Sequence, residues 1–143
     1  LHLDQSYDLA FSYGGVWYFV IDGDKEPFLV SHIAQDEPNR IGLAQLAKHV
    51  KAGGQLLLGV QGPHHDYASP ISNGMLYSQK IELSEHGFTK HYYLADVDKT
   101  LMAQTIQYRT YGFAQALELL EGFGFSYQPY SGDKPQFLTF KKS

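Results

Sequence analysis

The sequence contains no cysteine, which excludes disulfide staples and thiolate metal sites and agrees with a reducing compartment. Charged residues make up only 18%, below the usual quarter, and the formal net charge is -4. Basic residues never cluster beyond Lys141-Lys142. A phosphate backbone requires a basic footprint, so no nucleic-acid partner is expected. No apolar run approaches the roughly 18 residues that cross a bilayer, and the opening residues carry Asp4 and Asp8 where a targeting segment would be basic and then apolar. The expectation is a soluble, cytoplasmic protein with no membrane partner. There is no starting methionine, and a strand-like run begins within the first residues, as in a piece excised from something longer. What the chain does have is a core: 143 residues, 43% hydrophobic and 15% aromatic, with 11 tyrosines and 9 phenylalanines, fit a single domain whose aromatics line an interior or a pocket.

The chain is organised around Asn39 to Gln61. Leu43, Leu46, Ala47 and Val50 recur at helical spacing and give one apolar stripe, which the glycine pair Gly53-Gly54 is expected to end. Leu56-Leu57-Leu58-Gly59-Val60 follows without alternation, the pattern of a strand covered on both faces. Helix into buried strand is half of a parallel crossover unit, and Tyr7 to Tyr13 supplies the other strand. Asp36-Glu37-Pro38 offers a cap, an acid and a first-turn proline for the helix start.

Ligands of open parallel sheets sit at the carboxyl ends of the strands, which makes Ser12 to Tyr18, with Gly14-Gly15, a candidate site. Val16 to Phe19 would equally serve as a plug over the sheet end. Asp22 to Pro27 reads as a solvated turn before Phe28-Leu29-Val30, since a calcium loop would need a closing glutamate that is missing. After the buried strand, residues 62–70 are too polar and proline-rich for an element, yet lie at the same end of the sheet as Ser12 to Tyr18. Imidazole takes a proton near neutral pH and a carboxylate can orient it, so His64 or His65 with Asp66 reads as a base and its partner; a hydrogen-bonded surface loop and a metal site are the alternatives.

From Met75 the pattern changes. Leu76 to Leu83, Phe88 to Leu94 and Leu101 to Tyr111 are β-rich runs separated by Glu85-His86-Gly87 and Asp96-Val97-Asp98-Lys99, an antiparallel meander in which His86 and His91 are turn and strand residues. Phe113, Ala116, Leu117 and Leu120 restore a helix stopped by Gly122 and Gly124, and Phe125 to Tyr130 and Phe137 to Phe140 close the chain as a hairpin.

In order and motif these elements resemble the C-terminal half of a class I S-adenosylmethionine-dependent methyltransferase. Tyr7 to Ser12 is similar to that family's fourth strand. Leu43 to Val60, with Lys51-Ala52-Gly53-Gly54 before the leucines, is similar to its helix, Lys-Pro-Gly-Gly turn and fifth strand. Tyr108-Arg109-Thr110-Tyr111, the helix to Leu120 and Gly122-Phe123-Gly124-Phe125 are similar to its closing segment. Ala52 stands where proline is usual and Gly112 where serine or threonine is common. The family's Gly-rich loop and ribose-binding acid have no counterpart in these residues.

The resemblance implies an α/β, partial Rossmann-like fold holding strands four, five, seven and six, with the meander at 75–111 inserted before the last helix. It implies that residues 1–143 form the C-terminal portion of a methyltransferase domain, completed by missing N-terminal residues or a second chain. The activity it implies is transfer of a methyl group from the cofactor S-adenosylmethionine to a nitrogen or oxygen of a small molecule. Ser12, Tyr13, Gly14 and Gly15 would then bind the cofactor, and His64 or His65 would act as base. Trp17, Tyr18 and Tyr67 would offer aromatic faces to a cationic or planar acceptor, and Arg109 would orient an acidic group or pair with a surface acid. Two other readings stand beside this one: a non-catalytic binding module derived from such a half, and a metal oxygenase on a small barrel, which the Leu43 to Val60 crossover opposes.

Overall fold

A computed structural model describes residues 5–71, 74–96 and 99–143. Asp4, and Val97-Asp98 of the second separator, lie outside the described residues. The chain opens with β1 (Tyr7–Ser12), β2 (Trp17–Val20) and β3 (Phe28–Ser31), then α1 (Asp36–Lys48) and the long strand β4 (Val50–Gln61). Next come β5 (Tyr67–Pro70) and the meander β6 (Leu76–Ser84), β7 (Gly87–Ala95) and β8 (Thr100–Tyr111). The last elements are α2 (Phe113–Glu121), β9 (Phe125–Gln128) and β10 (Phe137–Lys142).

All these strands join one sheet in the order β5-β6-β7-β8-β3-β2-β4-β10-β9, with β1 added to β4. β4 is its hub. On one edge it pairs parallel with β1 along Gln55 to Leu58 and then parallel with β2 at Val60 and Gln61; on the other it pairs antiparallel with β10. β2 and β3 form a hairpin, and β3 pairs antiparallel with β8, which welds the meander to the α/β part.

The apolar stripe of α1 and that of α2 pack on the same face of the sheet. Leu43 from α1, with Ala116, Leu119 and Leu120 from α2, meets Phe19, Leu29, Leu56, Leu58, Leu138 and Phe140 in one buried cluster. Phe19, Phe125 and Phe140 are wholly enclosed. Each such side chain contributes about 1.5–3 kcal/mol of transfer free energy, so this layer dominates the stability of the fold. Alternation puts Tyr18, Val20, Val30, Phe88 and Tyr108 in a second cluster on the opposite face.

Four expectations are corrected. The first helix ends at Lys48 rather than at Gly53-Gly54: His49 closes it with its backbone N–H on the Ala47 and Leu46 carbonyls, and the Tyr7 amide takes the His49 carbonyl at 2.7 Å, drawing the chain into the sheet. The glycines serve a bulge. Tyr7 faces Val50 but Leu9 faces Gln55, so residues 51–54 stand against the single Asp8, and Gly53 sits at φ 83° where a side chain would be strained. Second, β4 is not covered on both faces, because the helices shield Leu56 and Leu58 while Leu57 stays partly open. Third, β1 is not an interior strand among the described residues: only β4 pairs with it, and Leu9 and Phe11 are 52% and 69% exposed. Fourth, residues 62–70 are not wholly loop, since β5 pairs antiparallel with β6 and places Pro70 on an edge strand, where its missing N–H costs least.

Candidate functional site

Two loops leave the same end of the sheet. Ser12 closes β1 opposite Leu58 of β4, and β4 runs in the same direction to Gln61, so residues 13–16 and 62–66 both emerge from carboxyl ends of parallel strands. That is where open α/β sheets bind ligands.

His64 folds from the second loop onto the face opposite the helices. Its Nε2 lies 2.7 Å from the Tyr18 hydroxyl and its Nδ1 lies 3.3 Å from Nζ of Lys90 on β7. Its ring meets Phe88 at 5.3 Å and Tyr108 at 5.8 Å between centroids. His32 joins from beyond β3, 4.9 Å from Tyr108 and 5.8 Å from Tyr18. The row of hydroxyls continues to Tyr92, whose oxygen is 3.5 Å from that of Tyr108 and whose ring lies under Lys90 at 4.8 Å. Tyrosine and lysine positions on β7 and β8 reach this cluster because Phe88, Lys90 and Tyr92 alternate onto one face, directly opposite Tyr108, Ile106 and Gln104.

Electrostatics follow from this packing. Burial, and then the neighbouring Lys90 ammonium, push the His64 imidazole down to about 4, so it is neutral at pH 7. His32 is lowered for the same two reasons. Burial raises Tyr18 and Tyr108, so both hydroxyls remain protonated. The tautomer of His64 follows from the inventory of protons. An ammonium has no lone pair, so Nδ1 must accept from Lys90; Nε2 then carries the hydrogen and points it at the Tyr18 oxygen. Nδ1 is the basic nitrogen.

The other sequence-derived candidates divide. His65 is exposed, with Nδ1 3.5 Å from the Pro63 carbonyl, and its own carbonyl accepts from Gln79 at 2.9 Å. Asp66 does not orient either histidine: its Oδ1 accepts the Ile81 amide at 2.6 Å, which pins the loop to β6. Tyr67 stands at the outer rim, 5.6 Å from His65 and 5.7 Å from Tyr77. Trp17 is separated from Tyr18 by the sheet. Its indole N–H donates to Asn39 of α1 at 2.9 Å, and its ring packs over Gly42. Arg109 likewise lies on the helix-bearing face, beside Tyr111 and away from Tyr108. Of the six residues proposed for base and acceptor roles, two separate pairs are in contact: Tyr18 with His64 in the buried cluster, and His65 with Tyr67 at the rim.

On the first loop, Tyr13 is 61% exposed and leans on Phe137 at 5.6 Å. Gly14 adopts φ 66° with open space around it, and at Gly15 a Cβ would run into the Ser12 hydroxyl. Bare backbone therefore faces the strand end. Lys90, His32 and Tyr92 were not singled out by sequence reasoning. The available signal was the alternation Phe88-Lys90-Tyr92, a cation in an otherwise aromatic row, which gains meaning only once β7 is known to pass under the 62–66 loop.

His86 occupies the turn between β6 and β7, and His91 a strand position where it meets Glu82 and Thr105, both at 3.1 Å. Among the described residues no three His, Cys, Asp or Glu side chains gather in a group able to hold a metal ion, and no helix is long and apolar enough to cross a membrane.

No family model matches this sequence, and no curated protein matches it. Solved structures do. The chain is similar to the CcbJ methyltransferase from Streptomyces caelestis, with a TM-score of 0.66 at 8% identity, covering 100% of this chain and 64% of that one. It is similar to CalS10, a SAM-bound amino pentose methyltransferase from Micromonospora echinaspora involved in calicheamicin biosynthesis, with a TM-score of 0.62 at 10% identity over 100% of this chain and 61% of that one. A S-adenosylmethionine-dependent methyltransferase from Clostridium acetobutylicum gives 0.61 at 12% identity, over 98% and 59%. The chain thus spans about three fifths of the length of these structures. Identities this low speak for the fold alone, and that fold is the sheet-dominated α/β fold of S-adenosylmethionine-dependent methyltransferases.

Proposed function

We propose that this chain is the C-terminal portion of a S-adenosylmethionine-dependent methyltransferase that moves a methyl group to a nitrogen or oxygen of a small molecule. The observation that carries the reading is the likeness to methyltransferase structures along practically the whole chain, 98% or more in each. The neighbouring strands β1, β4, β10 and β9 support it, because they follow the order four, five, seven and six that the resemblance implies. The name of one such structure, an amino pentose methyltransferase, favours a small-molecule acceptor.

The first loop fits one wall of a cofactor site. Ser12, Tyr13, Gly14 and Gly15 offer open backbone at the end of a parallel strand, where the family resemblance puts the donor. The Gly-rich loop and the acid for the ribose would come from residues beyond this sequence, which would also pair with the free edge of β1. When bound, the cofactor supplies an electrophilic sulfonium methyl group. The protein's share is to align the acceptor, exclude water and take up a proton. Tyr18 fixes the His64 ring through Nε2, and Lys90 holds the Nδ1 lone pair. An acceptor nitrogen that displaces the Lys90 Nζ would give up its proton there, while the rings of Tyr108, Phe88 and the outlying Tyr67 would flank its carbon skeleton. His65 would act at the rim, in binding.

Isothermal titration of the longer protein with S-adenosylmethionine tests the reading. Saturable binding together with methyl transfer to amino or hydroxyl sugars supports it. No binding would favour the non-catalytic module and reject both cofactor and activity, and saturable binding without transfer to a panel of amino and hydroxyl compounds would reject the proposed acceptor class.

A further inference from the structure

The helix-bearing face holds a second polar site, separated by the sheet from His64. Arg109 pairs across the ladder with Ser31 on one side and Gly87 on the other, one position past Tyr108, so its side chain leaves the opposite face of β8. It lines a cleft of about 740 Å³ together with Asp36, Arg40, Tyr111, Gln115 and Glu118. The guanidinium lies over the Tyr111 ring at 4.8 Å, which fixes its plane. Its Nε is buried and has no hydrogen-bond partner, and among the described residues none lies within ion-pair distance of it.

The nearest carboxylate is already committed. Asp36 accepts from Nε of Arg40 at 2.7 Å through one oxygen and from the Tyr111 hydroxyl at 2.7 Å through the other. Those two bonds, Arg40 first, hold its pKa below the ordinary carboxylate value, so it stays ionised with both oxygens engaged. Glu118 lies on the exposed side of α2 and forms no ion pair within 4.0 Å among the described residues. Gln115 spends its side-chain oxygen on the Gly112 amide at 3.3 Å, which leaves its amide hydrogens free. Beside its two carboxylates the cleft therefore holds a guanidinium with no ion pair among the described residues, its Nε enclosed, backed by an aromatic plate and flanked by a side-chain amide. A buried N–H without an acceptor is costly, and a planar fork is matched by two oxygens on one centre.

We infer that this cleft binds the oxyanion group of a small molecule, a carboxylate or a phosphate, with Arg109 as the fork and Tyr111 as its support. The site lies on the other side of β8 from Tyr108 and does not depend on the methyl-transfer reading.

The test follows the Nε–H resonance of Arg109 in the full-length protein labelled in arginine nitrogen, titrated separately with acetate and with inorganic phosphate against chloride at equal ionic strength. A saturable shift of that resonance with acetate alone identifies a carboxylate site, with phosphate alone a phosphate site, and with both a general oxyanion site. Isothermal titration with the same anion reads the variants: Arg109→Lys, which keeps the charge and loses the fork, should weaken binding at least tenfold, and Arg109→Gln should abolish it. If the wild-type resonance moves no more with either anion than with chloride, the inference fails, and no variant is needed to reach that result. Equal affinity in folded Arg109→Gln would overturn it as well.

Discussion

The Tyr18 hydroxyl lies 2.7 Å from Nε2 of His64, tying a buried strand that follows the first loop to the loop that follows the long central strand. This one bond joins the two segments that leave the carboxyl ends of the parallel strands. It also separates the histidine pair, because His64 is enclosed by Tyr18, Phe88 and Tyr108 while His65 is exposed. His64→Asn should lower turnover on the order of a hundredfold with little change in KM, the usual range for losing a general base, whereas His65→Asn should stay within about twofold. Steady-state kinetics of both variants, in a chain carrying whatever upstream residues the methyltransferase reading requires, decide it; equal losses would return the role to the pair.

The same enclosure makes stability depend on pH. In the unfolded chain His64 titrates near its ordinary value of about 6.5, while in the fold it titrates at about 4, so between those limits the unfolded state binds more protons. Its contribution is complete above about pH 6.5 and is lost as pH falls toward about 4. Carboxylates add their own acid dependence, so the comparison is with His64→Gln, whose melting temperature should fall less steeply over that window. Parallel curves for the two proteins would mean that His64 is not held neutral.

Asn39 is a buried hub of another kind. Its Oδ1 accepts from the Trp17 indole and the Ser31 hydroxyl, and its amide donates to the carbonyls of Ile33 and Gln35 at 2.9 and 2.8 Å. All four of its bonds are made, so α1, β2 and β3 share one anchor. Asn39→Ala leaves several buried groups without partners and should cost about 2–4 kcal/mol, at about 1–3 kcal/mol for each group that water cannot reach. Urea unfolding measures this, and a loss below about 1 kcal/mol would mean that solvent reaches the site.

Regular elements were the readable part of this sequence. The meander strands and both helices carry their own period, so Leu76, Phe88 and Phe113 mark true starts or near-starts. Faces were also available in principle. Neighbouring residues on a strand point to opposite sides, which parts Trp17 from Tyr18 and Tyr108 from Arg109, yet grouping by chemistry put Trp17, Tyr18 and Arg109 near one acceptor. The contact of Lys90 with His64 could not be read at all, because it depends on a loop crossing a strand 26 residues away. The bulge at residues 51–54 was hidden for a related reason: glycines that would stop a helix serve equally to let a strand slip against β1.

Gly87 is where the meander is most tightly constrained. A Cβ there would strike the Tyr108 carbonyl oxygen, and Arg109 sits directly across the ladder. Gly87→Ala must push β7 from β8 at the pair that positions both Tyr108 and Arg109. A destabilisation of about 1–3 kcal/mol is expected, the ordinary cost of overpacking, with weakened anion binding at Arg109 and reduced turnover in the same protein. Gly62→Ala, with nothing near its Cβ, is the control and should be neutral in all three measurements. A fully stable Gly87→Ala would show that the two strands can part freely.

The exposed strand β1 gives a prediction whose sign depends on context. Leu9 and Phe11 are 52% and 69% exposed, on a strand paired only with β4 among the described residues. An apolar strand with a free edge is a template for pairing, and a lysine on it discourages association. For the 143-residue chain alone, Phe11→Lys should therefore reduce self-association in sedimentation experiments. If upstream strands and helices cover β1 in a longer protein, as the methyltransferase reading requires, the same substitution buries an unpaired charge there and should cost about 2 kcal/mol or more in unfolding experiments. Improved behaviour in both settings would mean that β1 stays uncovered, and the proposed completion of the sheet would fall with it.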